Sequence, residues 1–185
     1  MSGLELKVPP DVVWLVAAAL MWLASAITPE FAVPLSLRIG AAVLFAILGS
    51  WTIIAARVTL DRAQTTWHPT SPERTSSLVT TGVYRFSRNP MYLGMLLGLV
   101  GWAVLLASPL ALIVSGGFAL YMNRFQIGPE ERTLSTLLGH EYRDYVTHVR
   151  RWLLGPTSAS LVSLSPRGIP DREDAGQVAS VPTAE

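Results

Sequence analysis

Apolar residues in this chain run in long blocks, without the polar face that a soluble amphipathic helix repeats every three or four positions. Four blocks stand out: Val12–Ile27, Leu37–Leu60, Met91–Ala107 and Leu110–Ile127. Each holds about 16 to 24 residues, close to the ~20 that cross ~30 Å of hydrocarbon at ~1.5 Å per residue. Buried helices of a soluble protein are the alternative. Four such blocks in 185 residues point instead to an all-α integral membrane protein with about four transmembrane helices. Only Ser108-Pro109 separates the third block from the fourth. Proline starts a helix well and continues one badly, so the last two blocks form a tight helical hairpin with almost no loop. The first connection runs from Thr28-Pro29-Glu30 to Pro34.

Beyond Pro129 the pattern changes. Leu134, Leu137, Leu138, Tyr142, Tyr145, Val146, Val149 and Trp152 recur at helical spacing, with Glu131, Arg132, Glu141, Arg143, Asp144, Arg150 and Arg151 between them. Glu130–Leu153 is therefore an amphipathic helix that Gly139 breaks or kinks. Its two faces and terminal Trp suit a helix lying at a membrane interface; a soluble helix packed on the loop before the third block is the other reading. From Thr157 the chain turns to Ser, Pro, Gly, Asp and Ala, and periodicity stops, which predicts a disordered tail. Three regions result: two N-terminal transmembrane helices over 1–60, a loop, hairpin and amphipathic helix over 61–153, and a tail over 154–185.

Composition sharpens this picture. Half of the residues are hydrophobic and 15% are charged, against about 25% charged in soluble domains; the mean hydropathy is +0.40. The net charge of +1 comes with no basic block, so nucleic acid is not an expected partner. Cysteine is absent, which removes disulfides and thiolate chemistry. The histidines, His68, His140 and His148, show no metal-ligand spacing, so no metal is expected. The block Val12–Ile27 follows Pro9, Pro10 and Asp11, is long for a signal peptide and is followed by further blocks, so it reads as the first transmembrane helix. Arg57, Arg62, Arg74, Arg85 and Arg88 precede the third block, and Arg124, Arg132, Arg143, Arg150 and Arg151 follow the fourth, with Arg38 alone on the other side. The positive-inside rule makes both termini and the arginine-rich face cytoplasmic.

Taken singly, the polar residues around the third block have plain explanations. Asn89-Pro90 is a helix start, with Asn89 as the cap and Pro90 at the first helical position. Arg85 and Arg88 suit interfacial anchors, and Tyr84 and Tyr92 an aromatic belt. Gly94, Gly98 and Gly101 share one face, which serves either close helix packing or the approach of a ligand to backbone. Asn123, Ile127 and Glu130 share a face with Gln126 beside it, and Glu130-Glu131 favours a helix start.

Taken in order, the elements are more specific. Thr65-Thr66-Trp67-His68-Pro69, Leu78-Val79-Thr80-Thr81-Gly82-Val83-Tyr84-Arg85 and Ser87-Arg88-Asn89-Pro90-Met91-Tyr92-Leu93-Gly94 precede the hairpin. Arg124-Phe125-Gln126-Ile127, Glu130-Glu131-Arg132, Glu141-Tyr142, Tyr145 and Val149-Arg150-Arg151-Trp152 follow it. Over about Thr65 to Trp152 the chain resembles the isoprenylcysteine carboxyl methyltransferase family, relatives of the phospholipid N-methyltransferases. The marks are the Arg-Asn/His-Pro-x-Tyr-x-Gly element and the Glu-Glu pair. Asn89 stands where eukaryotic members have histidine, so no histidine-based role transfers, and Trp67-His68 departs from the family's frequent residues before the proline.

The resemblance implies a methyltransferase using S-adenosylmethionine on the cytoplasmic side, with a lipophilic acceptor from the bilayer. It places Tyr84, Arg88, Asn89, Pro90, Tyr92, Gly94, Glu130, Glu131, Tyr142 and Tyr145 at the cofactor, and Arg88, Asn89 and Arg151 in catalysis. Residue chemistry fits. The glutamates suit the cofactor's amino group and ribose hydroxyls, an arginine suits its carboxylate, and tyrosines suit adenine. A carboxylate acceptor, as in isoprenylcysteine O-methylation, is already anionic and needs no base. An amine, as in phospholipid N-methylation, calls on Glu130, Glu131 or His68. A scaffold or reductase-like relative without methyl transfer is the remaining alternative.

Overall fold

The computed structural model of the chain describes residues 6–29, 31–63 and 78–153. The regular elements among the described residues are all helical: α1 (Pro10–Ser25), α2 (Leu35–Arg62), a 3₁₀ turn (Gly82–Arg85), α3 (Pro90–Leu106), α4 (Pro109–Tyr121), a π turn (Met122–Ile127) and α5 (Gly128–His148). Trp67, His68 and the expected tail over 154–185 lie outside the described residues.

Proline marks the helix starts. Pro10, Pro90, Pro109 and Pro129 all sit in a first turn, where a missing amide costs nothing. Ser108 caps α4 by accepting from the Ala111 amide at 3.3 Å. Ala107 takes a left-handed conformation, φ 47°, and so reverses the chain between α3 and α4 within two residues. The tight hairpin is therefore present. Asn89, expected as a cap, makes no cap hydrogen bond; its side chain donates to the Arg151 carbonyl instead, at 3.1 Å. Gly139, with φ 56° and ψ −120°, kinks α5 as expected.

Helix lengths depart from the four-block reading. Among the described helices, α2, with 28 residues, is the one both long and apolar enough to cross a membrane; α1 and α3 are shorter apolar helices. The fourth block does not run as one helix to Ile127. It leaves the α-helical path after Tyr121 and widens into the π turn. The physical reason lies at its end, where Pro129 cannot return an amide to the helical ladder.

α3 is the centre of the bundle. Its glycine face packs on antiparallel α2. A Cβ on Gly94 would stand 2.6 Å from the Gly49 carbonyl oxygen, and one on Gly101 would stand 2.8 Å from Phe45. The glycine stripe is thus helix packing over Gly94 and Gly101. Gly98 lies at ordinary distance, 3.6 Å, from the Trp14 ring. α1 runs parallel to α3 and is tied to it by Trp14 Nε1 donating to the Met95 carbonyl at 2.9 Å and Trp102 Nε1 to the Ala18 carbonyl at 3.2 Å. Between α1 and α2, along α3, lies an apolar groove of about 890 Å³. On its other side α3 contributes Tyr92, Leu99 and Ala103 to a core with Ala17 and Met21 of α1, Phe118 of α4, and Met122 and Ile127.

The two ends of the bundle differ. At one, Thr28 and Ser108 hydroxyls meet at 2.8 Å and Arg38 donates to the Leu105 carbonyl. At the other, α1 and α3 begin, α2 and α4 end, and α5 folds across. The arginines, tyrosines and glutamates that flank the hairpin in sequence belong to this second end.

Candidate active site

The first turn of α5 holds Pro129, Glu130 and Glu131, and the two carboxylates point to different partners. Glu130 accepts from the Tyr92 hydroxyl at 2.5 Å and from Gln126 Nε2 at 2.9 Å. Glu131 accepts from Arg151 Nε at 3.1 Å and Arg151 Nη2 at 2.5 Å, and pairs with Arg88 Nη1 at 3.3 Å. A fork of this kind, with a guanidinium edge on both carboxylate oxygens, fixes both side chains. Arg88 is 11% exposed at the side chain, and its Nε is buried with no hydrogen-bond partner among the described residues.

The chain after α5 closes the cluster. Val149 leaves the helix in an extended conformation, and the Arg150 carbonyl accepts from the Arg88 amide at 3.0 Å. The Arg151 carbonyl accepts from Ser87 Oγ at 3.2 Å and Asn89 Nδ2 at 3.1 Å. Asn123 Oδ1 takes Trp152 Nε1 at 3.0 Å and Arg151 Nη1 at 3.3 Å. The Tyr145 hydroxyl donates to the Tyr84 carbonyl at 2.6 Å, which ties α5 to the 3₁₀ turn. Tyr142 packs beside Tyr145, ring centres 6.3 Å apart.

Burial sets the protonation states. Glu130 keeps some exposed surface as a residue, but its carboxyl end is shut in among protein atoms, and that local loss of solvent governs its proton affinity. Burial raises it from 4.5 to about 7; the hydrogen bonds from Tyr92 and Gln126 pull down, and the Glu131 charge pushes up. Burial likewise pushes the Tyr142 phenol up to about 12 and those of Tyr84 and Tyr145 further. All three are neutral hydroxyls at physiological pH. The Glu131 hydrogen bond raises Arg151 above its ordinary value, against the smaller opposing effect of burial.

The structure therefore gathers Tyr84, Arg88, Asn89, Pro90, Tyr92, Glu130, Glu131, Tyr142, Tyr145 and Arg151 at one helix end. Pro90 serves as the first residue of α3. Gly94 is not brought in. It lies two residues from Tyr92, about 200° around the helix, and packs against Gly49 on the α2 side. Arg85 is exposed. Sequence reasoning saw the shared face of Asn123, Ile127 and Glu130 with Gln126 beside it, but gave Asn123 and Gln126 no role. Both donate or accept within the cluster, as do Ser87 and Trp152.

These features define a class of small all-helical proteins that gather ionic and phenolic groups at one end of an apolar bundle. Sequence comparison gives the family. The phospholipid methyltransferase family profile matches residues 37–141, more than half of the chain, and the chain belongs to that family. It is similar to a protein-S-isoprenylcysteine O-methyltransferase of Saccharomyces cerevisiae, 34% identical over 109 residues, covering 57% of this chain and 44% of the yeast protein. It is similar to protein-S-isoprenylcysteine O-methyltransferase B of Arabidopsis thaliana, 35% identical over 106 residues, 56% of this chain and 52% of that protein. An uncharacterized Haemophilus influenzae protein is 46% identical over 63 residues, 34% of this chain and 100% of its own length. The chain thus spans about half of the named methyltransferases it matches.

Proposed function

We propose that the protein is a membrane methyltransferase that transfers a methyl group from S-adenosylmethionine to a lipophilic acceptor, with the Arg88–Glu130–Glu131–Arg151 cluster holding the cofactor. Arg88 carries the reading. Glu131 pins its Nη1, while its Nε is buried and open. A buried donor without a partner costs on the order of 1–3 kcal/mol, so an acceptor belongs beside it, and an amino-acid carboxylate matches a guanidinium edge. Glu131 and Glu130 suit the amino group and ribose hydroxyls, and the rings of Tyr84, Tyr142 and Tyr145 suit adenine. When bound, the cofactor supplies an electrophilic methyl on its sulfonium. The chain supplies alignment, because an in-line displacement gains chiefly from proximity and orientation.

Membrane residence is supported by α2. Its most apolar 18-residue window has a mean hydropathy of 2.1 and is 17% buried. A soluble core helix of that composition would be mostly buried, whereas Leu37, Val43, Ile47, Trp51 and Ile54 all face outward. We take α1, α2, α3 and α4 with its π turn as the spans, with 1–60 anchoring and 61–153 catalytic. α5 then lies at the interface, with Leu137 and Val146 exposed. The arginine excess at the site end makes that side and both termini cytoplasmic.

For the acceptor we favour a carboxylate of an isoprenylcysteine-like molecule, oriented by Arg151 and Asn89 without a base. A specific observation favours a second reading: Glu130, raised to about 7, is poised as a base for an amine acceptor, in keeping with the family's phospholipid members. O-methylation would survive Glu130→Gln in turnover at saturating cofactor; N-methylation would not.

Calorimetry with S-adenosylmethionine on the purified protein in detergent tests the cofactor assignment. Binding is expected, and Arg88→Ala and Glu131→Gln should each weaken it by at least about tenfold. A folded protein that binds no cofactor refutes the methyltransferase reading and favours a scaffold. Labelled cofactor incubated with a lipid extract identifies the acceptor.

A further inference from the structure

Pro129 leaves a gap in the helix that carries the site. An α-helical carbonyl accepts from the amide four residues on, and for Phe125 that residue is Pro129, which has no amide to give. The Phe125 carbonyl is nevertheless paired. It accepts from the Leu6 amide at 3.2 Å, across 119 positions of sequence. Leu6 reaches it with φ 57°, a left-handed conformation that a bulky residue rarely adopts. Pro9 and Pro10 then join Leu6 stiffly to α1, whose first turn closes on the Pro9 carbonyl.

The carbonyl lies inside the π turn. There the Gly128 amide pairs with the Asn123 carbonyl, five residues back. The same turn presents Gln126 to Glu130 and Asn123 to Arg151 and Trp152. Isolated π turns recur at functional sites because the extra residue re-aims neighbouring side chains.

We propose that Leu6 is a positioning residue of the site: its amide takes the carbonyl that Pro129 leaves open and so holds the π turn that aims Asn123 and Gln126. No role in the chemistry is assigned to Leu6. The geometric claim stands on the hydrogen bonds alone; its consequence for cofactor affinity rests on the reading given under Proposed function.

Four full-length proteins in detergent test it: Leu6→Pro, Leu6→Gly, Pro129→Ala and the Leu6→Pro/Pro129→Ala double variant. Proline removes the amide and cannot take the left-handed conformation, whereas glycine keeps the amide and suits that conformation. Alanine in place of Pro129 restores an internal donor for Phe125. Hydrogen exchange over 122–130, measured without cofactor, should quicken about five- to tenfold in Leu6→Pro and stay at the parental rate in Leu6→Gly. In the Pro129→Ala background, Leu6→Pro should add no further change.

Cofactor affinity should follow the same pattern. The pH below which affinity is lost should move up in Leu6→Pro, because Gln126 then no longer holds Glu130 down among Tyr84, Tyr92 and Glu131. A destabilised but correctly aimed site would not shift this midpoint. Unchanged exchange in Leu6→Pro, equal effects of proline and glycine, or an undiminished effect in the Pro129→Ala background each overturns the proposal. If the exchange cycle holds while even the parental protein binds no cofactor, the positioning role stands and the cofactor reading fails.

Discussion

Replacing Glu130 by glutamine isolates what the protein gives up to keep a carboxylate at the site. Burial raises this group from 4.5 to about 7 in the folded chain, so the folded state binds its proton more tightly than the unfolded state. Stability from this group is fully present below about pH 4.5 and is lost as pH rises through about 7. At about 1.4 kcal/mol for each tenfold change in proton affinity, ionised Glu130 costs the fold about 3 kcal/mol above that range. Glutamine is uncharged throughout, and its carbonyl can still accept from the Tyr92 hydroxyl, 2.5 Å away in the parent. Glu130→Gln should therefore match the parent near pH 5 and exceed it at pH 8, where about 3 kcal/mol corresponds to roughly 6–12 °C in Tm for a chain of this size. The assay is thermal unfolding without cofactor, followed by tryptophan fluorescence in one detergent between pH 5 and 8.5. The same variant should lose cofactor affinity. An equal difference between the two proteins at every pH, or a less stable Glu130→Gln at pH 8, would refute the burial argument.

Other expectations follow from single contacts. Gly94→Ala should lower Tm, costing about 1–3 kcal/mol, because its Cβ would meet the Gly49 carbonyl at 2.6 Å and push α2 away, whereas Gly98→Ala, with 3.6 Å to the Trp14 ring, should be near neutral. Tyr145→Phe removes the 2.6 Å bond to the Tyr84 carbonyl and should cost about 1 kcal/mol. That loss should not vary between pH 6 and 9, since burial keeps the phenol protonated throughout. Arg151→Lys should weaken cofactor binding more than its unchanged charge suggests, because lysine cannot span both Glu131 oxygens as Arg151 does; calorimetry beside the parent measures this.

Much of the fold was legible because its signals are local. Long apolar blocks, first-turn prolines and Ser108-Pro109 decide where helices begin, since each acts on the backbone within a few residues. Most of the polar residues that the structure gathers at one end of the bundle were also visible, in an ordered set of arginines, tyrosines and glutamates that resembles a methyltransferase family.

Other features depended on groups far apart in sequence. Asn89 looked like a cap, yet the Arg151 carbonyl, 62 positions away, claims its side chain. Gly94 by its spacing suited helix packing, while the resemblance placed it at the cofactor, and the approach of Gly49 decided for the helix. The fourth apolar block read as one helix because hydropathy does not register a missing amide. The structure instead has a π turn before Pro129, with the Phe125 carbonyl paired to the distant Leu6 amide, and Asn123 and Gln126 sit on that turn. Sequence alone thus determined the helices, their apolar character and the residue types of the site. Tertiary structure decided which glutamate pairs with which partner, because Tyr92, Arg88 and Arg151 reach Glu130 and Glu131 from elements far away in sequence.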